Sequence, residues 1–133
     1  MKAFTKSILV LVFVFVGSIA MQAVSPKNYL FDTKEENGKI TSKVVFLEKE
    51  GLLNKEMRYE FVYNMDGKVS AKKAYRWNKT TENWDPIFLV SYNYSNEESI
   101  ISNISMWDKK KKSFSLNNQE ILIPVDNYDS IFS

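Results

Sequence analysis

The sequence predicts an all-β protein: an antiparallel meander of about seven to eight strands, built from three hairpin repeats and either curled or two-layered, after an N-terminal signal peptide. Three observations support this fold class. Apolar and polar residues alternate with a period of two along most of the chain, as they do in half-buried strands. Turn-forming Asn, Asp and Gly interrupt the alternation, and one pattern recurs at intervals of 29 to 31 residues.

The first residues have the features of a secretory signal. Lys2 and Lys6 supply positive charge, residues 8–16 form an unbroken apolar run, and small residues follow. Such segments direct export and are removed. We therefore predict a signal peptide over residues 1–23, cleaved after Ala20 or Ala23, and a single all-β repeat domain over residues 24–133.

A retained membrane anchor is the alternative. Apolar character extends with interruptions to Val24, close to the roughly 17 residues that a spanning helix needs. The short apolar core and the small residues after it favour cleavage, and we expect no stable membrane insertion afterwards. The chain has no cysteine, which excludes a lipoprotein and disulfides. We expect an exported bacterial protein, periplasmic or secreted.

The charge balance disfavours nucleic acid as a partner. The 18 basic and 16 acidic residues give a net charge of +2, and removal of Lys2 and Lys6 leaves 16 of each. A neutral chain lacks the basic surface that nucleic-acid binding requires.

The repeats define the strands. Residues 37–46 align without a gap with residues 66–75, and a more diverged copy follows around Tyr92, Ile100 and Trp107. Each copy is predicted to form a strand, a tight turn, a second strand and a longer turn; residues 48–56 could instead form one helical turn. Strands are predicted near residues 28–35, 39–48, 55–64, 68–78, 83–94, 99–107, 113–117 and 119–124.

The register of the second hairpin predicts its turn. A two-residue Asp66-Gly67 turn would pair Tyr63 with Ser70, an aromatic with a polar side chain. A three-residue loop over residues 65–67, with Gly67 left-handed, instead pairs Tyr63 with Val69. The second register keeps apolar residues on one face, so we predict it.

The same reasoning applies to the longer turns. It pairs Trp77 with Trp84 across residues 79–82, and Trp107 with Phe114 across the four lysines at 109–112. The lysines could contact a polyanion or a membrane surface, but in a hairpin loop ordinary solvation explains them.

Catalytic chemistry is hard to find. The chain contains neither histidine nor cysteine, which removes the usual general base, zinc ligands and thiol nucleophile. Glu97 and Glu98 fall in a predicted turn rather than a cleft. We therefore predict no enzyme activity, no metal site and no cofactor.

The aromatic residues are the candidate binding groups. Nine rings are predicted to share one face, where most would form the core: Tyr59, Phe61, Tyr63, Tyr75, Trp77, Trp84, Phe88, Tyr92 and Tyr94. Exposed rings can stack on sugars or accept a partner chain. The predicted binding residues are Trp77, Trp84, Tyr92, Tyr94 and Trp107. Trp77 and Trp84 lie at a hairpin end, where partial exposure is expected.

A family resemblance follows from the hairpin motifs. The pattern consists of Tyr63-Asn64, Gly67-Lys68-Val69, Lys72, Tyr75-Arg76-Trp77-Asn78 and Trp84, then Pro86 and Tyr92-Asn93-Tyr94. It resembles a family of short exported proteins from gut Bacteroidetes known only as a domain of unknown function, over roughly residues 29–124. The resemblance implies an all-β repeat fold and a periplasmic or secreted setting, with no catalytic residues to transfer. The third copy departs from the pattern because Glu98 replaces the turn glycine.

Two functions remain as expectations. The first is a non-catalytic binding or interaction module of the bacterial cell envelope, with a protein or a glycan as partner. The second is a self-associating structural protein that pairs through exposed strand edges. The sequence leaves the oligomeric state open.

Overall fold

The computed structural model describes residues 6–10, 28–115 and 119–133, which form nine strands and one 3₁₀ helix. The elements are β1 (Lys6–Val10), β2 (Asn28–Glu36), β3 (Lys39–Lys49), β4 (Leu52–Tyr63), β5 (Val69–Asn78), β6 (Asn83–Asn93), β7 (Ser99–Asp108), β8 (Ser113–Phe114), β9 (Gln119–Pro124) and the helix η1 (Val125–Phe132).

The strand order is that of a meander. Strands β1 to β8 are neighbours in chain order, and β9 pairs with β7. Strands β2 to β9 correspond to the eight predicted strands, which confirms the all-β antiparallel meander. Strand β1 lies inside the predicted signal peptide and pairs antiparallel with β2. Both predicted cleavage sites lie outside the described residues.

The chain divides into two compact units. The first comprises residues 1–59 and 76–84, and the second comprises residues 60–75 and 85–133. Strands β4, β5 and β6 therefore contribute residues to both units.

The first hairpin of unit 1 uses a two-residue turn. Asn37 and Gly38 have φ values of 54° and 78°, the left-handed conformation that Asn-Gly turns favour. The register then shifts between Lys34 and Glu35, leaving Thr41 as an extra residue whose hydroxyl donates to the Lys34 carbonyl over 3.3 Å. A two-residue turn alone would place the other set of β3 side chains on each face of the sheet. The bulge shifts the register by one residue and reverses that assignment.

The next connection is tighter than the sequence suggests. Glu50 and Gly51 form another two-residue turn with φ values of 53° and 79°, so β4 begins at Leu52. The helical turn considered for residues 48–56 is absent from this described segment. The Glu50-Gly51 pair explains the difference, because it supplies the two left-handed residues that a two-residue hairpin turn needs.

The β4–β5 connection in unit 2 confirms the predicted three-residue loop. The Asn64 N–H donates to the Lys68 carbonyl over 2.8 Å and the Gly67 N–H to the Asn64 carbonyl over 3.0 Å. Gly67 has a φ of 81°, the left-handed value that closes this turn. The Asn64 side chain also accepts hydrogen bonds from the Asp66 and Lys68 N–H groups.

The β5–β6 loop of unit 1 is closed by Asn78. Its side-chain oxygen accepts from the Thr80 and Thr81 N–H groups over 2.9 and 3.2 Å, and its carbonyl accepts from the Glu82 N–H over 2.8 Å. Glu82 is left-handed, with a φ of 56°.

The β7–β8 loop of unit 2 repeats this design with Asp108. Its carboxylate accepts from the Lys110 and Lys111 N–H groups, and Lys112 is left-handed at φ 53°. Trp107 pairs with Phe114 in register, as predicted. The β5–β6 and β7–β8 loops therefore have the same hydrogen-bond pattern. The 30-residue spacing of Asn78 and Asp108 predicts this correspondence.

The helix η1 was not predicted. Its Ile131 is 2% exposed, and Phe132 lies with its ring centroid 5.0 Å from that of Phe61. The Lys72 ammonium donates to the Ile131 carbonyl over 2.8 Å. The element is interrupted at Asn127, where φ is −102° and ψ is 23°, and such short 3₁₀ turns carry too weak a periodicity to be recognised in sequence.

Burial on both faces of β5 corrects the single-face prediction. Val69 and Ala74 are five positions apart and therefore on opposite faces of a regular strand, and they are 0% and 1% exposed. The Tyr75 hydroxyl donates to Glu60 over 3.1 Å, yet the predicted register assigns these two side chains to opposite faces. Phe61 is buried and the other eight rings are half-buried. The rings as a group are therefore neither fully buried in a core nor fully exposed on a surface.

Candidate functional site

An aromatic pair in unit 1 is the centre of the candidate site. The Trp77 and Trp84 ring centroids lie 5.1 Å apart with their planes at 65°, the edge-to-face arrangement that aromatic pairs favour. This confirms the predicted pairing across the β5–β6 loop. Both rings are half-buried, so each keeps surface available to a ligand.

A lysine lies against this pair. The Lys55 ammonium sits 4.2 Å from the Trp77 ring centroid, within the range of a cation–π interaction. Lys55 is itself exposed, so the interaction orders a side chain that would otherwise be free to rotate.

The first of two cavities opens beside Trp77. It has a volume of about 390 Å³ and is lined by Leu53, Asn54, Lys55, Trp77, Lys79 and Glu82. Leu53 is 52% exposed and adds apolar surface next to the ring. The Asn54 amide donates to the Leu47 and Leu52 carbonyls over 3.3 and 3.4 Å, which holds its position.

The second cavity opens beside Trp84. It has a volume of about 250 Å³ and is lined by Asp32, Lys34, Ser42, Val44, Phe46, Lys55, Arg58 and Trp84. The β2–β3 pairing explains part of this lining, because Asp32 lies opposite Val44 and Lys34 opposite Ser42. Lys55 lines both cavities, so the two adjoin at this side chain.

The lining also shows why sequence reasoning missed this cavity. Lys55 and Arg58 are three residues apart, a spacing that regular alternation assigns to opposite faces. Both nevertheless line the same cavity as Trp84, so the predicted division into an aromatic and a polar face does not hold here. Only the position of Trp77 and Trp84 at a hairpin end pointed to this region.

Asp32 contains an unsatisfied polar atom. Its Oδ1 is buried and accepts no hydrogen bond within the described part of the chain. Buried polar atoms nearly always have partners, and leaving one without costs about 1–3 kcal/mol. Asp32 as a residue also lines the second cavity, beside Lys34 and Lys55.

The other predicted binding residues belong to unit 2. Trp107 packs against Phe114 with ring centroids 5.0 Å apart. Tyr94 donates to the Val69 carbonyl and lies 6.2 Å from the Tyr128 ring. These contacts give Tyr94 a structural role. The five predicted residues are therefore divided between the units, and only Trp77 and Trp84 flank the two cavities.

Burial raises the pKa of two tyrosines in unit 2, Tyr92 and Tyr94. It raises the pKa of Tyr92 from its ordinary 10.0 to about 12. It also raises the pKa of Tyr94, with smaller contributions from the neighbouring Tyr128 and Tyr92 hydroxyls. Removal from water disfavours the phenolate, so both side chains are neutral at physiological pH.

The described residues contain neither a cluster of metal ligands nor a membrane-spanning helix. No group of three or more Asp and Glu side chains there is placed to hold a metal ion. No described helix has the length and apolar character to cross a bilayer. Glu97 and Glu98 are exposed in the β6–β7 loop, as predicted.

Fold and site together define an antiparallel β protein of hairpin repeats that carries a tryptophan pair between two cavities. The chain belongs to DUF3836, a family of unknown function whose model matches residues 1–125. This confirms the resemblance seen in the hairpin motifs.

Solved structures of similar proteins agree with this assignment. A DUF3836 family protein from Parabacteroides distasonis is 59% identical with a TM-score of 0.76, covering 80% of this chain and 99% of its own. A DUF3836 family protein from Bacteroides vulgatus is 23% identical with a TM-score of 0.61, covering 73% of this chain and 92% of its own. A protein of unknown function from Bacteroides fragilis is 23% identical with a TM-score of 0.64, covering 76% and 75%. The last two show the fold alone. No curated protein matches.

Proposed function

We propose that this protein is an exported, non-catalytic binding module of the bacterial cell envelope that contacts glycans through Trp77 and Trp84. The observation that carries the proposal is the half-buried tryptophan pair with a cavity on either side. Partly exposed rings can stack on the apolar faces of sugar rings, while neighbouring polar groups bind hydroxyls.

The cavity linings support a sugar better than an apolar ligand. Each combines one tryptophan with charged side chains and one amide or hydroxyl group: Asn54 in the first cavity and Ser42 in the second. Their volumes of about 390 and 250 Å³ lie at or below the lower end of the roughly 300–1,000 Å³ typical of drug-sized ligands. Two adjoining small cavities suit successive residues of a chain.

A glycan array tests the proposal. The purified protein should bind at least one class of saccharide, and Trp84→Ala should abolish the signal because the ring supplies the stacking surface. Trp107→Ala is the matched control, since Trp107 packs against Phe114 in unit 2. Binding that survives Trp84→Ala but not Trp107→Ala would contradict the proposed site.

Export has its own test. Expression of the full chain in a bacterial host should yield a protein outside the cytoplasm whose amino terminus, read by mass spectrometry, follows Ala20 or Ala23. Strand β1 would then leave with the signal peptide. An intact amino terminus in the cytoplasmic fraction would refute export.

Self-association through strand edges is the second candidate. In β9, Ile121 and Leu122 are 46% and 61% exposed, and no described strand pairs with the side of β9 opposite β7. Such edges can pair with another chain. Light scattering over a range of concentrations decides: a constant monomer mass rules this candidate out, whereas a rising mass that Leu122→Lys suppresses supports it.

A further inference from the structure

We infer that the two cavities bind an acidic saccharide, such as a uronic-acid oligosaccharide, with Lys34 and Lys55 holding its carboxylates and Asp32 accepting one of its hydroxyls. This inference rests on the proposed function and names the ligand class of the same site.

The charge of the linings is the first argument. Lys34, Lys55, Arg58 and Lys79 bring four positive charges, against Asp32 and Glu82 with two negative charges. The site is therefore net positive by two in a chain whose remaining charges nearly balance. A cleft with one dominant sign attracts ligands of the opposite sign.

The second argument concerns the partners of these charges. No described carboxylate forms an ion pair with Lys34 or Lys55, and the Lys55 ammonium lies over the Trp77 ring. Both ammonium groups can therefore donate to a carboxylate from a ligand. Charge-assisted hydrogen bonds of this kind are about twice as strong as neutral ones.

Asp32 supplies the third argument. This residue lines the same cavity as both lysines, so a carboxylate acceptor lies beside two cationic donors. A simple anion would satisfy the lysines but offer no donor to the Asp32 carboxylate. A sugar that carries both a carboxylate and hydroxyls satisfies all three side chains, while its ring packs on Trp84.

Titration calorimetry with oligogalacturonate and with its carboxyl-reduced, neutral counterpart tests the inference. The wild-type protein should bind the acidic chain about tenfold more tightly than the neutral one, and added salt should reduce that difference. Lys34→Gln should remove most of the preference without affecting the neutral chain. Because Lys34 is exposed, this variant should fold normally.

Asp32→Ala gives a different signature. It should weaken both saccharides by about tenfold, because it removes an acceptor for hydroxyls that both contain. Lys109→Gln, in the β7–β8 loop, should change neither affinity.

The outcomes separate the inference from the function. Equal binding of both saccharides with loss in Trp84→Ala overturns the acidic preference and leaves the binding module intact. Acidic binding that depends on Lys109 and not on Lys34 overturns the site. Failure to bind any saccharide, here and on the array, overturns both. Wild-type affinities in Asp32→Ala mean that Asp32 takes no part in binding, which overturns its assigned role.

Discussion

Removing the Tyr128 hydroxyl should destabilise unit 2 through a single hydrogen bond. This oxygen accepts from the Val69 N–H over 2.9 Å, and Val69 is 0% exposed. Tyr128→Phe keeps the ring, whose centroid lies 6.2 Å from that of Tyr94 and 5.9 Å from that of Phe132. The substitution therefore isolates the lost acceptor, and a buried N–H without a partner costs about 1–3 kcal/mol.

Thermal unfolding followed by circular dichroism measures this loss. At about 4–8 °C per kcal/mol for a domain of this size, the melting temperature should fall by about 4 °C or more. Tyr29→Phe is the matched control, because the Tyr29 hydroxyl forms no hydrogen bond with the described residues; it should stay within about 0.5 kcal/mol of wild type. Equal stability of Tyr128→Phe and Tyr29→Phe would refute a stabilising role for the Val69–Tyr128 hydrogen bond.

Three other predictions address the turns, the tryptophan pair and the buried phenols. Gly67→Val should cost about 1 kcal/mol or more in urea unfolding, because a β-branched residue resists a φ of 81°, whereas Gly67→Asn should cost less; an unchanged midpoint for the valine variant would contradict the three-residue loop. The near-ultraviolet circular dichroism of the Trp77–Trp84 pair should disappear in either single alanine variant, and a spectrum insensitive to both would contradict the 5.1 Å contact. Burial raises the pKa of Tyr92 to about 12, so its contribution to stability is complete below pH 10 and is lost as the pH rises through about 12; Tyr92→Phe should show a weaker alkaline loss, and an equal loss would contradict the burial.

The strands and hairpin registers could be predicted because they depend on local patterns. Trp77 opposite Trp84 and Trp107 opposite Phe114 follow from loop length and alternation alone. The left-handed Gly67 follows from the need to keep Tyr63 and Val69 on one face. The paired residues are close in sequence, so few alternative pairings are possible.

Other features depend on departures from regularity that composition does not signal. The predicted division of faces does not hold where the Tyr75 hydroxyl bonds to Glu60 or where Arg58 lines one cavity with Trp84. The candidate site was therefore predicted only in part. Its tryptophans were predicted, but Asp32, Lys34 and Lys55 were not. They come together through pairing between strands rather than through spacing in the sequence.

The three tryptophans of the chain allow the central claim to be tested in one experiment. Each indole N–H gives its own signal in a ¹H–¹⁵N correlation spectrum, assigned with single Trp→Phe variants. Titration with a saccharide that the protein binds should shift the Trp77 and Trp84 signals and leave Trp107 in place. A titration that shifts Trp107 alone, or leaves Trp77 and Trp84 unmoved at saturation, would contradict a binding site at the tryptophan pair.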